Sequence, residues 1–479
     1  MAVPIVVCSL LSFLPVHGAG NGIPIKIDTN KIAGQTHDMF VGVTLDLETI
    51  VRSNWGYMNT SSQKIKNLAQ ALSPCFLRVG GTMSDHVHYD VPYQTDVWPT
   101  PEDKNLTASN WDRLNIFSRD VGWKMIFGLN ALRRINNVWF PFNARDLMNY
   151  TSYKGYNITG FELGNEPDYF PVNVTPPELV FDFLQLYGLV KEWPYFSNSL
   201  ILGPDIAEMV NPRGYQYYHE FLKYGGRDGI DYATFHHYYF ASGGAKLEMF
   251  INPGIMNSIW VPIQRAVSYA NETVPHRKVW LGETSTSYNQ GAPGLSDRYV
   301  AGFLWLDKLG MTAKHGVEVV IRQSFYGENY SLLDFNDTNP NPDYWLTLLY
   351  MKLVGSKVLN VIFDSSSYVR IYAHCTNTKV PKYQKGSITF YTMNLSNATV
   401  DLLFPQFPGA ELEVYLLQPK GTQGLTSRGV TLNGVLLELT EEDEIPNLII
   451  PTVQTDSVSF PSLTFGFIVI PMANVTLCL

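Results

Sequence analysis

Two glutamates close apolar runs in a way that could let them work on one bond. Residues 159–166 end in Phe161-Glu162-Leu163-Gly164-Asn165-Glu166-Pro167, and residues 278–283 end in Val279-Trp280-Leu281-Gly282-Glu283. Two opposed carboxylates are what glycosidic hydrolysis requires: one attacks the anomeric carbon, the other delivers a proton to the leaving oxygen. A retaining pair stands ~5–5.5 Å apart. Glu283 is read as the nucleophile and Glu166 as the proton donor, the latter needing a raised pKa from burial and from the charge of Glu283. A lone glutamate at a strand end is more often an ion-paired or surface residue. Here Pro167 stops the strand, Asn165 can bond a sugar 2-hydroxyl as charge develops, and a second glutamate holds a matching position.

Such residues need elements to bring them together. Short apolar runs alternate with amphipathic stretches between about residue 38 and 345, the pattern of βα units. Eight strands are expected, at 39–46, 75–80, 124–130, 159–166, 199–205, 232–240, 278–283 and 317–323. Helices are expected between them, for example at 177–190, with Leu179, Phe183, Leu186 and Val190 on one face. Another is expected at 296–315, opened by Ser296-Asp297 and closed before Gly316. The fold class is therefore α/β, a (β/α)8 TIM barrel over 39–347, whose site lies at the strand C-termini. Beyond Trp345 the texture changes to alternating runs at 368–374, 387–394, 412–417 and 463–470. These read as a C-terminal β-sandwich over 348–479, with 20–38 lending it a strand.

Net charge is −9, with no Lys/Arg run, so nucleic acid is excluded as a partner, because such binding rests on basic patches. The apolar start, residues 1–14, and the small residues Gly18, Ala19 and Gly20 read as a signal peptide over 1–19. It is too short for a membrane span and no membrane insertion is expected. It lacks an N-terminal Lys or Arg, and a buried strand is the competing reading. Eleven N-x-[ST] sequons, from Asn59 to Asn474, decide for a secretory route, and a monomer is expected. Cys375 and Cys478 could pair in an oxidising compartment, whereas Cys75 is expected to be a buried thiol.

No metal and no cofactor is expected. His236 and His237 are adjacent on a strand and face opposite ways, and no Cys or acidic residue has ligand spacing to them. One is expected to hydrogen-bond in the cleft and the other to pack. Arg78 and Arg322 read as salt-bridged barrel residues in preference to carboxylate readers. No dinucleotide or P-loop fingerprint is present.

Several motifs together resemble the heparanase family of endo-β-glucuronidases. They are Glu162 to Pro167, Phe235-His236-His237-Tyr238-Tyr239, Trp280-Leu281-Gly282-Glu283-Thr284-Ser285, Trp305-Leu306-Asp307-Lys308-Leu309-Gly310, Arg322-Gln323, Pro342-Asp343-Tyr344-Trp345 and His374-Cys375-Thr376-Asn377. The resemblance implies a retaining enzyme cutting at internal glucuronic acid residues of a glycosaminoglycan, with Glu166 as proton donor and Glu283 as nucleophile. It further implies that Asp46, Thr82, Asn165, Gln323 and Tyr330 touch the glucuronate. Tyr238 would steady the nucleophile, and Cys375 and Cys478 would form the sandwich disulfide.

The chain also departs from that family. Vertebrate-type heparanase has a long linker removed by proteolysis, where here only residues 91–118 follow strand 2, so activity as one chain is expected. Basic residues after Asn-Glu-Pro and after His-His-Tyr-Tyr give way to Asp168-Tyr169-Phe170 and to Ala241-Ser242-Gly243-Gly244 before a single Lys246. Sulfate recognition uses Arg and Lys donors. Their loss, with Tyr288-Asn289-Gln290-Gly291 and the short loop at 327–333, resembles the invertebrate hyaluronidase branch and favours hyaluronan over heparan sulfate. A non-catalytic glycosaminoglycan-binding relative and an exo-acting β-glucuronidase are the alternatives.

Overall fold

A computed structural model describes residues 22–51, 58–92, 99, 103–364 and 368–479. The leader expected at 1–19 lies outside the described residues. Eight parallel strands close into a barrel: β1 Val41–Asp46, β2 Phe76–Gly80, β3 Lys124–Leu129, β4 Gly160–Leu163, β5 Leu200–Ile206, β6 Tyr232–His237, β7 Val279–Thr284 and β8 Val317–Arg322. Each is followed by a helix: α1 Gln63–Ala71, α2 Ala108–Val121, α3 Phe142–Lys154, α4 Pro176–Glu192, α5 Pro212–Lys223, α6 Trp260–Thr273, α7 Ala301–Lys314 and α8 Pro342–Leu353. All eight expected strands are present, with ends shifted by up to three residues.

Local chemistry explains the helices. In α4, Thr175 and Glu178 form a capping box, Pro176 occupies the first turn, and Leu179, Phe183, Leu186 and Val190 are buried. Two expectations need correction. The helix expected at 296–315 begins only at Ala301, because the Ser296 hydroxyl is engaged by Thr286 and by the Ala292 N–H instead of capping. The element after strand 2 also starts earlier than residue 118: Lys104–Thr107 pairs in parallel with Val87–Asp90, and α2 follows directly, capped by the Thr107 side chain.

The chain beyond α8, joined by Gly34–Gln35, builds a nine-stranded antiparallel sheet, and, joined by Ile23–Pro24, a three-stranded sheet. Period-2 alternation divides the faces of the larger one. Ile371, Ala373, Cys375, Ile388, Phe390, Ile468 and Ile470 fill a core shared with Leu402 and Val458 of the smaller sheet. Tyr372, Tyr391, Phe465 and Phe467 belong instead to the core shared with the barrel helices. There Phe465 stacks on Tyr299 at 4.7 Å, and Asp307 of α7 takes a hydrogen bond from Tyr372 and an ion pair from Arg370. The N-terminal segment contributes short pieces to separate sheets in place of one strand. Ile23–Pro24 runs parallel to Val400–Leu403, and Lys26–Ile27 pairs with Val361–Ile362. Cys375 and Cys478 form a disulfide, and Cys75 is a buried free thiol just before β2.

Candidate active site

Inward-facing positions alternate along each strand, and they bring Arg78 from β2, Glu162 from β4 and His236 from β6 into the upper barrel. Alternation from Trp280, which lies in the inner apolar cluster, would turn Glu283 outward to the helices. The register between β6 and β7 shifts at this point, so that Phe235 pairs with Leu281 but His236 pairs with Glu283. The extra residue re-aims Glu283 into the barrel mouth, a standard use of a bulge. A second shift in β5, between Gly203 and Ile206, accompanies a left-handed Asp205 and turns its carboxylate inward.

Arg78 is the hub of this set. Its Nε donates to Glu162 Oε2 at 2.7 Å, its Nη1 to Glu283 Oε2 at 2.7 Å and its Nη2 to Asn165 Oδ1 at 3.0 Å. The other oxygen of Glu283 accepts the Tyr238 hydroxyl at 2.6 Å. His236 bridges the two sides: Nδ1 lies 3.0 Å from Glu166 Oε1, and Nε2 lies 3.4 Å from Asp205 Oδ1. One oxygen of Glu166, one of Glu283 and a nitrogen of His236 all lie within 4.8 Å of one another. That grouping has the reach of a metal site, but Arg78 and His236 already supply two cations to it, and both Glu283 oxygens are hydrogen-bonded.

The electrostatics separate the carboxyls. Burial opposes ionisation of Glu283, but His236, Arg78 and the Tyr238 hydroxyl outweigh it and hold Glu283 below the usual carboxylate range. Burial likewise opposes Asp205, which Arg78 and His236 hold low. Burial dominates at Glu162, pushed up to about 8 despite Arg78. Burial would lower His236, yet Glu283, Asp205 and Glu166 raise it to about 10.

Glu166 occupies the left-handed region, at φ 56° and ψ 58°. That is uncommon for a residue with a side chain and usually marks a functional constraint. Its backbone N–H is tied to Asp205 O at 3.0 Å. The burial expected of Glu166 is not found: its side chain is 28% exposed.

The chain is similar to known proteins over most of its length. Residues 23–310 match the family model described as "Glycosyl hydrolase family 79, N-terminal domain". The chain belongs to glycosyl hydrolase family 79. It is 38% identical to mouse heparanase, over 95% of this chain and 94% of that one. It is 33% identical to hyaluronoglucuronidase of the leech Hirudo nipponia, over 95% of this chain and 99% of that one. Among solved structures, a 4-O-α-L-rhamnosyl-β-D-glucuronidase from Fusarium oxysporum superposes with TM-score 0.68 at 15% identity, covering 93% of this chain and 99% of that one. This last likeness concerns the fold.

In this family 79 chain the remaining sequence-derived residues fall around the same mouth. Asp46 ends β1 and lies against Gly81, where a Cβ would come within 2.5 Å of its Oδ2; Gly81 has a φ of 86°. Thr82 is exposed at the turn after β2. Gln323 accepts from the Thr44 hydroxyl and offers Nε2 to the Tyr330 hydroxyl at 3.4 Å. Tyr330 stacks near Tyr238, ring centres 6.2 Å apart. His237 packs edge-on against Tyr239, and burial pushes its pKa well down. Arg322 is structural, paired with Asp343 at 2.8 Å.

Sequence reasoning passed over four groups. Asp205 carries no motif signal, because its inward turn depends on a register shift. Asp85 accepts the N–H groups of Ala131 and Asn165, tying two strand ends together. Glu162 was legible only as part of a motif. Lys308 of α7 is buried against the end of β7 that carries Glu283, donating to Thr284 Oγ1 and Ser285 O at 2.6 Å each.

Proposed function

We propose that this family 79 enzyme is a secreted, retaining endo-β-glucuronidase that cuts internal glucuronidic bonds of a glycosaminoglycan, with hyaluronan its preferred substrate. The carrying observation is the Glu166/Glu283 pair, within 4.8 Å at its nearest ligand atoms and in opposite surroundings. Nearest oxygens that close suit a retaining pair, whose carboxyls stand ~5–5.5 Å apart, better than an inverting pair at ~6.5–9.5 Å.

Glu283, kept anionic by His236, Arg78 and Tyr238, attacks the anomeric carbon while the bond to the glycosidic oxygen breaks. Glu166 passes its proton to that oxygen. His236 Nδ1, 3.0 Å from Glu166 Oε1, holds that carboxyl in place for the transfer. In the second half, Glu166 takes a proton from water, whose oxygen displaces Glu283 from the glycosyl ester. Arg78 fixes Asn165 Oδ1, so the amide NH2 is the end that can donate to the sugar 2-hydroxyl. Asp46, Thr82, Gln323 and Tyr330 are assigned to the glucuronate.

The rim loops support hyaluronan. Residues 164–175 carry no Lys or Arg, 238–259 carry only Lys246, and 285–300 carry only Arg298, which is paired with Asp297 at 2.8 Å. A sulfated chain would find few charge-assisted donors there. The higher identity to mouse heparanase favours heparan sulfate as the second reading. Eleven sequons and the Cys375–Cys478 disulfide support passage through the secretory route to an extracellular or lysosomal site. Among the described residues no helix is long and apolar enough to cross a membrane.

The test is digestion of hyaluronan and heparan sulfate side by side, with Glu283→Gln as control and product ends read by mass spectrometry. Hyaluronan oligosaccharides with reducing-end glucuronate are expected, absent from the control. Cleavage of heparan sulfate alone would replace the substrate. Binding without cleavage of either would make the chain a non-catalytic relative.

A further inference from the structure

The loop after β8 carries a carboxyl that the mechanism above leaves unused. Glu328 is held by its own short loop. Its N–H donates to Ser331 Oγ at 2.7 Å, its Oε2 accepts from Ser324 Oγ at 2.6 Å, and the two serine hydroxyls bond each other at 2.7 Å. The loop is pinned on both flanks. The Asn329 N–H donates to Gln290 O at 3.0 Å. Gly327, at φ 124°, sits so tightly on Thr49 that a Cβ there would come within 2.7 Å of the threonine methyl. Thr49 in turn donates to the carbonyl of Asp46 at 2.7 Å. These contacts tie the loop of Glu328 to the end of β1, which Asp46 closes, and to the loop after β7; two residues on, Tyr330 stacks near Tyr238, whose hydroxyl bonds Glu283.

We propose that Glu328, as a neutral carboxylic acid, donates its proton in a hydrogen bond to the carboxylate of the bound uronic acid, and so selects a uronate over a neutral hexose. The inference rests on the glucuronidase reading above. A glucuronate placed at the barrel mouth brings a further negative charge among carboxylates. The charges acting most strongly on Glu328 are Asp46, Glu283 and Glu48, all negative, facing it from the ends of β1 and β7; Tyr330 is its titratable loop neighbour. Arg78 is spent beneath them on Glu162, Glu283 and Asn165. Anions so crowded cannot all ionise, and the group that keeps its proton becomes a strong O–H···O⁻ donor. Burial, then Asp46, pushes Glu328 up to about 8, so it holds that proton through the neutral range.

The experiment measures binding of a hyaluronan hexasaccharide by calorimetry in a Glu166→Gln background, which slows cleavage and leaves the named neighbours of Glu328 intact. Affinity is expected to fall about tenfold between about pH 6 and about pH 9, with net proton uptake on binding above about pH 8. Adding Glu328→Gln, which keeps a donor that does not titrate, should remove the fall and the uptake that lie above about pH 8, leaving what Asp46, raised to about 7, contributes below it. Adding Glu328→Ala should weaken binding about tenfold already at about pH 6, and a hexasaccharide with its carboxyls reduced to alcohols should not sense either change. Melting curves confirm that each variant is folded. A Glu328→Gln protein that keeps the full fall and the proton uptake above about pH 8 overturns the proposal alone. A wild-type chain that cleaves neither polymer overturns the underlying reading and this proposal with it.

Discussion

At the N-terminal end of the barrel, Met39, Phe76, Ile126, Leu202, Trp280, Val319 and Ile321 form an apolar cluster of their own. Toward the C-terminal ends of the barrel strands, Arg78, Glu162, Asp205, His236 and Glu283 turn inward, and every one is buried. The two ends are held by opposite physics. Each apolar side chain contributes its own transfer and packing energy, so the lower cluster tolerates loss piecemeal. The upper groups are stable only as a set, since removing one ion leaves its partners unpaired in a low dielectric. One end is therefore a plug that maintains the fold, and the other is a charged assembly kept for chemistry.

Removing the hub should produce the largest effect. Arg78→Met leaves Glu162 and Glu283 without their buried cation and should destabilise the chain by ~3–5 kcal/mol. It should also abolish hydrolysis in whatever fraction remains folded, because Glu283 loses a partner that holds it anionic. Denaturant unfolding and a folded-fraction-corrected rate test this. A variant that unfolds normally, or one that keeps its rate, would erase the contrast between the two ends.

Trp280→Ala cuts into the plug. Its side chain is fully buried among Phe76, His37 and Tyr232, so a loss of ~3–4 kcal/mol is expected from the cavity and transfer terms. The rate per folded molecule should stay within about twofold, since the plug does not reach the carboxyls. A rate that fell with stability would mean that the two ends are mechanically coupled.

The smallest effect is the pH dependence of stability, and it sharpens the comparison because the plug does not titrate. Asp46 and Asp85 are raised to about 7, and Glu162 and Glu328 to about 8, in each case chiefly by burial. Unfolded carboxyls ionise near ~4. Between those values the folded chain keeps protons that the unfolded chain has released, so stability from these groups is complete below about pH 4 and is lost as pH rises through 7 to 8. His236, raised to about 10, adds a loss of the same sign above its ordinary ~6.5. Glu283 and Asp205, held low, act in reverse and lose their contribution in acid. The melting temperature should peak at mildly acid pH and fall by several degrees toward about pH 8. A higher melting temperature at about pH 8 than at about pH 5 would contradict the buried-carboxyl account.

Much of this was legible from local pattern. Eight apolar runs predicted eight strands because barrel strands are covered on both faces. Leu179, Phe183, Leu186 and Val190 announced α4 because a helical period shows in the residues themselves; its start was read at Pro177, one residue past the first helical position that the Thr175/Glu178 capping box sets. Asn165-Glu166-Pro167 was readable because its residues are neighbours in the chain. Ser296 misled, since its hydroxyl is taken by Thr286 and Ala292, a loop contact that mimics no sequence rule. The N-terminal segment was read as one strand, yet it divides between sheets at Ile25, because its partners Val400–Leu403 and Val361–Ile362 lie in different layers.

By itself, then, the sequence determined the strand and helix succession, the change of texture after Trp345, and which glutamates sit at strand ends. All of these follow from side-chain periodicity and short-range backbone chemistry. Only the tertiary structure decided that Glu283 points inward, because a bulge exists only relative to the register of the neighbouring strand. It alone joined Arg78 to Glu283 across 205 residues and Glu166 to His236 across 70. The charge state of each carboxyl depends on those encounters and on burial, and neither is encoded in the residues adjacent to it along the chain.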